Sequence, residues 1–390
     1  MNFTWDDDQR MLDDTVRRFL DKRYGFEQRA RIVARPEGFD EEVWSAFAEL
    51  GLLGLNIPEA YGGLDASPIE TMIVMEAFGR ALVVEPYVST AVVAARLLRD
   101  AGSESQRGPY LSALATGKWR CAIAALEPGS GFDFGAVDAT AQPSQGGWIL
   151  SGEKTVVLHG GSAHTFIVSA RTPTGLTLFL IDAKAPGLVA RHFPTLDGQR
   201  ISELTFDDVR VPRDAVVGPE GGGFGLLDSA IDFGIVALCA EAVGASTRLL
   251  EMTIEYVRMR KQFGQPVGRF QAVAHRIAEM LSAIEQARSI TLHACAALME
   301  NDAVERRLAV SAAKSLISES GRFVGEQAVQ LHGGIGMTDA LPVGHYFKRL
   351  TSIDMTWGNA EHHVARYSRA MRSPGASYWP FDERAACPAP

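Results

Sequence analysis

Two short clusters in the last third of the chain carry groups suited to an anionic ligand. In the run Arg260-Lys261-Gln262-Phe263-Gly264-Gln265-Pro266, Arg260 offers a planar fork of N–H donors that matches phosphate oxygens. Gln262 adds a neutral donor and acceptor, Phe263 a flat apolar face, Gly264 a turn and Pro266 a stop for a helix. In Gln330-Leu331-His332-Gly333-Gly334, the paired glycines let backbone N–H groups approach a ligand closely. Plainer roles also suit both clusters: a basic cap on a helix C-terminus for Arg260-Lys261, and a glycine C-cap for Gly333-Gly334. Proton acceptors are harder to single out. Asp228 and Asp232 stand one helical turn apart, Glu241 follows, and Asp354 precedes Trp357. Acidic groups at helix starts ordinarily serve the helix dipole. His159, His332, His345, His362 and His363 are further titratable candidates, and the adjacent His362-His363 pair suits an exposed helix face. Arg288 and Arg322 read as ion-pairing residues on bundle faces.

The bulk numbers limit what such groups can serve. The 390 residues suffice for two or three domains. Hydrophobic content of 46% and charged content of 22% are those of a water-soluble globular chain. A net charge of −9 with no long basic run argues against nucleic acid as partner, so an anion must be met by local arginines or helix N-termini. No run approaches the ~18 apolar residues of a membrane span. Asp6 to Asp8 near the N-terminus disagree with a secretory leader. Cys121, Cys239, Cys295 and Cys387 are scattered, without a CxxC pair or His at metal spacing. No metal site is expected, and a reducing, cytoplasmic location is.

These groups need elements to position them, and the pattern changes twice along the chain. Residues 1–117 read as helical. Val16 and Leu20 and the stretch Glu41 to Leu50 show helical spacing, with Asp40 as an N-cap. Further helices are expected from about Pro68 to Leu82 and Ser89 to Ala101. Over 118–224, short β-branched and aromatic runs predict strands at Trp148 to Leu150, Thr155 to Leu158, Thr165 to Ala170, Leu176 to Asp182 and Glu203 to Val211, with Gly146-Gly147 as a hairpin turn. Such strands suggest an antiparallel barrel or sandwich. From Gly225 the helical period returns, with long stretches over Phe270 to Met299 and Val304 to His332 and a last helix from Asn359 to Met371. Long helices and short loops predict a four-helix bundle over 225–373. Residues 374–390 read as a tail.

The order of helical domain, β domain and bundle resembles that of the acyl-CoA dehydrogenase family, and four motifs carry the resemblance. Glu49 to Gly63 (ELGLLGLNIPEAYGG) is similar to the N-terminal signature and Leu126 to Asp133 (LEPGSGFD) to the flavin loop. Arg260 to Gln271 (RKQFGQPVGRFQ) and Gln330 to Met337 (QLHGGIGM) are similar to the two C-terminal signatures. The run from Arg322 to Arg349 resembles more narrowly the small subunit of pimeloyl-CoA dehydrogenases, in which a large and a small subunit work together. The resemblance implies an α+β fold of three parts, FAD as cofactor and an acyl-CoA substrate. It also implies an electron-transfer flavoprotein as acceptor, and assembly with a paralogous large subunit or with copies of the same chain. It assigns cofactor contacts to Arg260, Gln262, Phe263, Gln271, Gln330, Gly333, Gly334, Gly358 and Asn359. The C-terminal signatures would grip a flavin held by a neighbouring subunit.

The pattern departs from the family where the chemistry should be. The usual base is a Glu before a Gly near the last helix; here Trp357 precedes Gly358. Other members carry it 26 residues before the signature Arg, where Gly234 stands. Neither residue accepts a proton, and Trp357 is expected to fill substrate volume. On the flavin face, the residues matching a Thr before the EPG loop and a Trp-x-Thr strand are Leu126, Val156 and Leu158, beside Gly131 of the loop. A lost hydrogen bond to a buried acceptor costs roughly 1–3 kcal/mol. The resulting expectation is a subunit that donates Arg260, Gln262 and Gln330 to a partner's flavin and leaves the base to that partner.

Overall fold

The computed structural model describes residues 5–300 and 302–372. The expected tail and Cys387 lie outside the described residues. The N-terminal layer holds α1 (Asp7–Arg23), α2 (Phe26–Val33), α3 (Glu41–Glu49), α4 (Pro68–Ala81), α5 (Ala95–Ala101) and α6 (Glu104–Ala115). Asp40 caps α3 as expected, its carboxylate accepting from the Glu42 N–H at 2.9 Å. Ser67 caps α4, with Pro68 at the first helical position. The helix expected over Ser89 to Ala101 divides in two. Val88–Ala94 is a π-helix with every residue buried, and it runs into α5. The Thr90 hydroxyl donates to the Cys121 carbonyl (2.9 Å) and accepts from the Cys121 N–H (3.1 Å), which stitches this wide turn to the sheet.

The sheet comprises β1 (Cys121–Ala124), β2 (Thr140–Ser144), β3 (Gly147–Leu158), β4 (Thr165–Thr172), β5 (Gly175–Asp182), β6 (Leu188–Pro194), β7 (Arg200–Pro212) and β8 (Val216–Val217). Strand order is β6-β7-β3-β2-β4-β5-β8, and β1 pairs β4. The pairings are mostly antiparallel, as expected. Among the described residues the hydrogen-bonded path is open, and β1 joins β4 in parallel register, Cys121 opposite Thr165. The candidates Trp148 to Leu150 and Thr155 to Leu158 form one strand, β3, with irregular register on both sides of Gly152–Lys154. The β2–β3 hairpin turns at Gly146, in the left-handed region as expected. Phe166, Val168, Phe179, Leu204 and Phe206 fill the sheet's core. Buried Lys154 donates to Glu127 (2.6 Å) and Ser169 (3.0 Å), which fixes the loop after β1.

The C-terminal layer is α7 (Gly223–Met259), a small hairpin of β9 (Lys261–Gln262) and β10 (Gln265–Pro266), α8 (Gln271–Ala297), α9 (Ala303–His332), α10 (Val343–Met355) and α11 (Ala360–Met371). The long helices pack their apolar faces together and against α4. α10 has no counterpart in the sequence reading, because its buried face of Val343, Tyr346, Arg349, Leu350 and Ile353 includes a charged residue that masks the period.

Candidate functional site

Both C-terminal clusters fall at one end of the bundle. α7 ends at Met259, and Arg260, Lys261 and Gln262 lead exposed into the hairpin. Phe263 sits at its tip with φ 53° and 90% of its surface exposed, followed by Gly264 at φ 80°. Gln262 donates only to its neighbour's carbonyl, and no carboxylate pairs with Arg260 among the described residues. Gln271 is exposed at the start of α8. α9 ends in exposed Gln330, Gly333 and Gly334, with Gly333 at φ 67°. Tyr256 ties the two clusters: its hydroxyl donates to the His332 carbonyl (3.2 Å), and its ring stacks on His332 at 4.4 Å. Gly358 and Asn359 lie on the turn into α11 instead, where Asn359 caps the helix by accepting from the His362 N–H.

The expected flavin face is aliphatic. Leu126 is buried, and its carbonyl accepts from the Thr155 N–H at 2.8 Å. Gly131 turns the preceding loop at φ 59°. Val156 is exposed at φ 50°, and Leu158 is half-buried. Beside Leu158 lies a cavity of about 30 Å³, lined also by Glu85, His159, Gln199, Glu241 and Arg349. Such a space takes a water molecule or two, not a fused ring system. Arg349 dominates it: its guanidinium donates to both Glu241 oxygens (2.5 and 2.7 Å) and to Asp197 (2.8 Å). Arg29 reaches the same place from α2 and donates to the carbonyls of Leu82 (2.8 Å) and Asp197 (2.6 Å). Burial lowers the His159 pKa to about 4, so its ring is neutral. The donor set at Arg260, Gln262 and Gln330 therefore suits a pyrophosphate, whereas Leu126, Val156 and Leu158 bring no side-chain hydrogen-bonding group to the face expected for an isoalloxazine.

The two family base positions converge on one volume. A Cβ on Gly234 would stand 2.4 Å from Cζ3 of the Trp357 indole, so the glycine makes room for the ring. Trp357 is buried, as expected of a residue filling this space. Three of the other candidate carboxylates are held in ion pairs. Asp228 meets Arg307 and Arg366 (both 2.9 Å), Asp232 meets Arg306 (3.0 Å) and Arg366 (2.7 Å), and Glu241 meets Arg349. Burial pushes the Asp228 carboxyl up, but Arg366 and Arg307 outweigh it and hold it below its ordinary value. Asp354 Oδ1 is buried and unpartnered. Of the pair expected on a surface, only His362 is partly exposed. His363 is buried, with Nε2 donating to the Trp357 carbonyl at 3.1 Å. Arg288 pairs with Glu76 as expected (2.6 Å), but Arg322 is exposed and makes no ion pair among the described residues, because it faces away from the bundle. His345 approaches Asp339 at 3.8 Å.

Two buried groups escaped the sequence reading. Glu85 accepts from the Tyr24 hydroxyl at 2.6 Å while its Oε1 has no partner, and burial raises its pKa to about 7. Lys314 is fully buried behind the Trp357 turn. The one signal for either is a charged residue on an otherwise apolar stretch.

On the far side of Trp357 opens a cleft of about 510 Å³, walled by Phe134, Phe224, Ile231 and Ile235 and rimmed by Arg307 and Arg366. No described helix is long and apolar enough to cross a membrane. Comparison with known proteins gives this arrangement a context. Family models described as the N-terminal, middle and C-terminal domains of acyl-CoA dehydrogenase match residues 6–118, 122–209 and 221–372. The chain is 31% identical to a mitochondrial 2-methylacyl-CoA dehydrogenase of Solanum tuberosum over 369 residues, which covers 90% of this chain and 89% of that protein. The ChsE4-ChsE5 complex from Mycobacterium tuberculosis matches with a TM-score of 0.89 at 26% identity, covering 96% of this chain and 100% of that one. A structure of PigA in complex with FAD, the cofactor expected from the sequence, matches with a TM-score of 0.87 at 28% identity, covering 95% and 99%. The chain belongs to the acyl-CoA dehydrogenase family.

Proposed function

We propose that this chain is the small subunit of a heteromeric FAD-dependent acyl-CoA dehydrogenase and contributes the phosphate grip for a flavin seated in a paralogous large subunit. FAD, when bound, supplies the two-electron redox chemistry of α,β-desaturation of an acyl-CoA thioester. Arg260 would meet the pyrophosphate, Gln262 and Gln330 would add neutral donors, Phe263 would cover the adenosine, and Gly333-Gly334 would bring backbone N–H groups close. The base would come from the large subunit, because Trp357 and Gly234 leave none here. Gly358 and Asn359 would shape the turn beside that site, and an electron-transfer flavoprotein would take the electrons. One observation carries the reading: Arg260 and Gln330 stand exposed with no ion-pair or side-chain partner among the described residues and Gln262 reaches only its neighbour's carbonyl, while the ring face is aliphatic. The narrower resemblance to pimeloyl-CoA dehydrogenase small subunits favours a dicarboxyl-CoA thioester as substrate.

The test is reconstitution. The chain purified alone should hold little flavin, and co-expression with a paralogous chain that carries the Glu base should restore flavin and turnover. Arg260→Ala in that complex should release flavin. Retention of flavin and activity by Arg260→Ala would leave the chain a purely structural subunit, and a flavin-replete, active assembly of this chain alone would refute the proposal.

A further inference from the structure

The end of the bundle that holds Arg260 carries more positive charge than a pyrophosphate can absorb. Between Glu255 and Glu279 the chain has five cations, Arg258, Arg260, Lys261, Arg269 and Arg276, and no carboxylate. The chain as a whole runs the other way, with a net charge of −9. All five residues are exposed, and no carboxylate pairs with any of them among the described residues. The flanking Glu255 reaches Arg248 instead, at 3.8 Å. The fold gathers the five at one place. The hairpin of β9 and β10 turns back on the end of α7, with the Val267 N–H donating to the Arg260 carbonyl at 2.8 Å. Gly268 packs against Val257, where an added Cβ would stand 3.2 Å from the valine side chain. Arg276, in the second turn of α8, donates to Gln327 of α9, one turn before Gln330.

The chain's own stability does not account for this patch. Arg258 and Arg260 suit the C-terminus of α7, where a cation complements the helix dipole. Arg269 stands just before α8 and Arg276 near its start, at the positive end of that helix's dipole, where a cation gains nothing from its own helix. We infer that this end of the bundle is an electrostatic docking face, and that the large subunit meets it with an acidic rim around the mouth of its flavin site. The inference rests on the small-subunit reading proposed above and adds the chemistry of the partner's surface. Exposed charges of one sign speed association with a complementary face by about 10–10³-fold, and salt screens the attraction. Arg258, Lys261, Arg269 and Arg276 thus draw in the partner's rim, and Arg260 closes on the cofactor. A protein partner is favoured over an extended anionic surface such as a membrane, because the net charge of −9 repels such a surface everywhere beyond the patch.

Stopped-flow association of the whole chain with a paralogous chain that carries the Glu base tests it. The rate constant should fall about tenfold as NaCl rises from about 20 mM to about 500 mM. The double variant Arg269→Gln/Arg276→Gln should lower the low-salt rate about fivefold and weaken its salt dependence, while the complex once formed keeps its flavin. Arg269→Lys/Arg276→Lys should associate like the parent, because charge and not the guanidinium fork acts at a distance. Equal rates for the parent and the glutamine variant, or rates indifferent to salt, would overturn the inference. Arg260→Ala keeps the two readings apart. Flavin loss from that variant, with unchanged association of the glutamine variant, leaves the phosphate grip standing and removes the docking face alone. Binding of the parent to phosphatidylglycerol vesicles that the glutamine variant loses, with association between the subunits unaltered, would assign the patch to a membrane and equally overturn it.

Discussion

The exposed end of the bundle and the closed interior beside β3 use the same residue types to opposite ends. Arg260 projects outward with no carboxylate paired to it among the described residues, whereas Arg349 is enclosed and satisfied by two carboxylates. Phe263 leaves 90% of its surface in solvent at a hairpin tip, whereas Trp357 keeps 7% and fills the space above a glycine. A side chain whose partners are all internal is committed to the fold. One that stands ordered and unpartnered on a positive-φ turn is available to something outside the chain. On the function proposed above, the family site has lost its reacting half and kept its gripping half, and the two could part because they lie on different elements.

The largest effect should come from the interior. Arg349→Met leaves Glu241 and Asp197 buried without their cation and should lower unfolding free energy by about 3–5 kcal/mol in urea titrations; a loss below about 1 kcal/mol would break the contrast with Arg260. Next is Glu85. Its folded pKa of about 7 lies above the ordinary 4.5, so the folded state binds the proton more tightly. Stability from this group is then greatest below pH 4.5 and declines as pH rises through 7, by roughly 3 kcal/mol in all. Glu85→Gln should flatten that slope in urea melts taken across the same range. Smaller is Arg260→Ala, which should weaken flavin retention in the reconstituted complex by about 1.5–3 kcal/mol while leaving the chain's own melting within about 0.5 kcal/mol of the parent. Smallest is Phe263→Ala, with no measurable change in melting and about 0.5–1.5 kcal/mol less flavin affinity. A destabilised fold in either hairpin variant would mean that the exposed end is structural after all.

Much of this was legible in the sequence, and the misses share a cause. Long amphipathic stretches such as α8 and α9 declare themselves by period, and a strand such as β5 by its apolar run. α10 does not, because Arg349 occupies its apolar face, and β1 does not, because it is only four residues long and fully buried. The exposure of the Arg260 hairpin could be expected from its turn residues. What no local pattern reveals is pairing between distant positions. Asp228 and Asp232 meet arginines from α9 and α11, and Gly234 meets Trp357, across more than 70 residues of sequence. Glu85 is invisible for the same reason, since only the tertiary fold encloses it.

Arg349 has a consequence for engineering. It stands on α10, grips Glu241 of α7 and reaches Asp197 in the connection between β6 and β7, whose backbone is also held by Arg29 from α2. All three layers thus meet at Asp197, held by Arg349 through its carboxylate and by Arg29 through its carbonyl. A chimera that transplants the sheet of a relative must carry the Thr195–Gln199 segment with it, or redesign α2 and α10 to match. Calorimetry of the intact chain should show one endotherm where a modular assembly would give three.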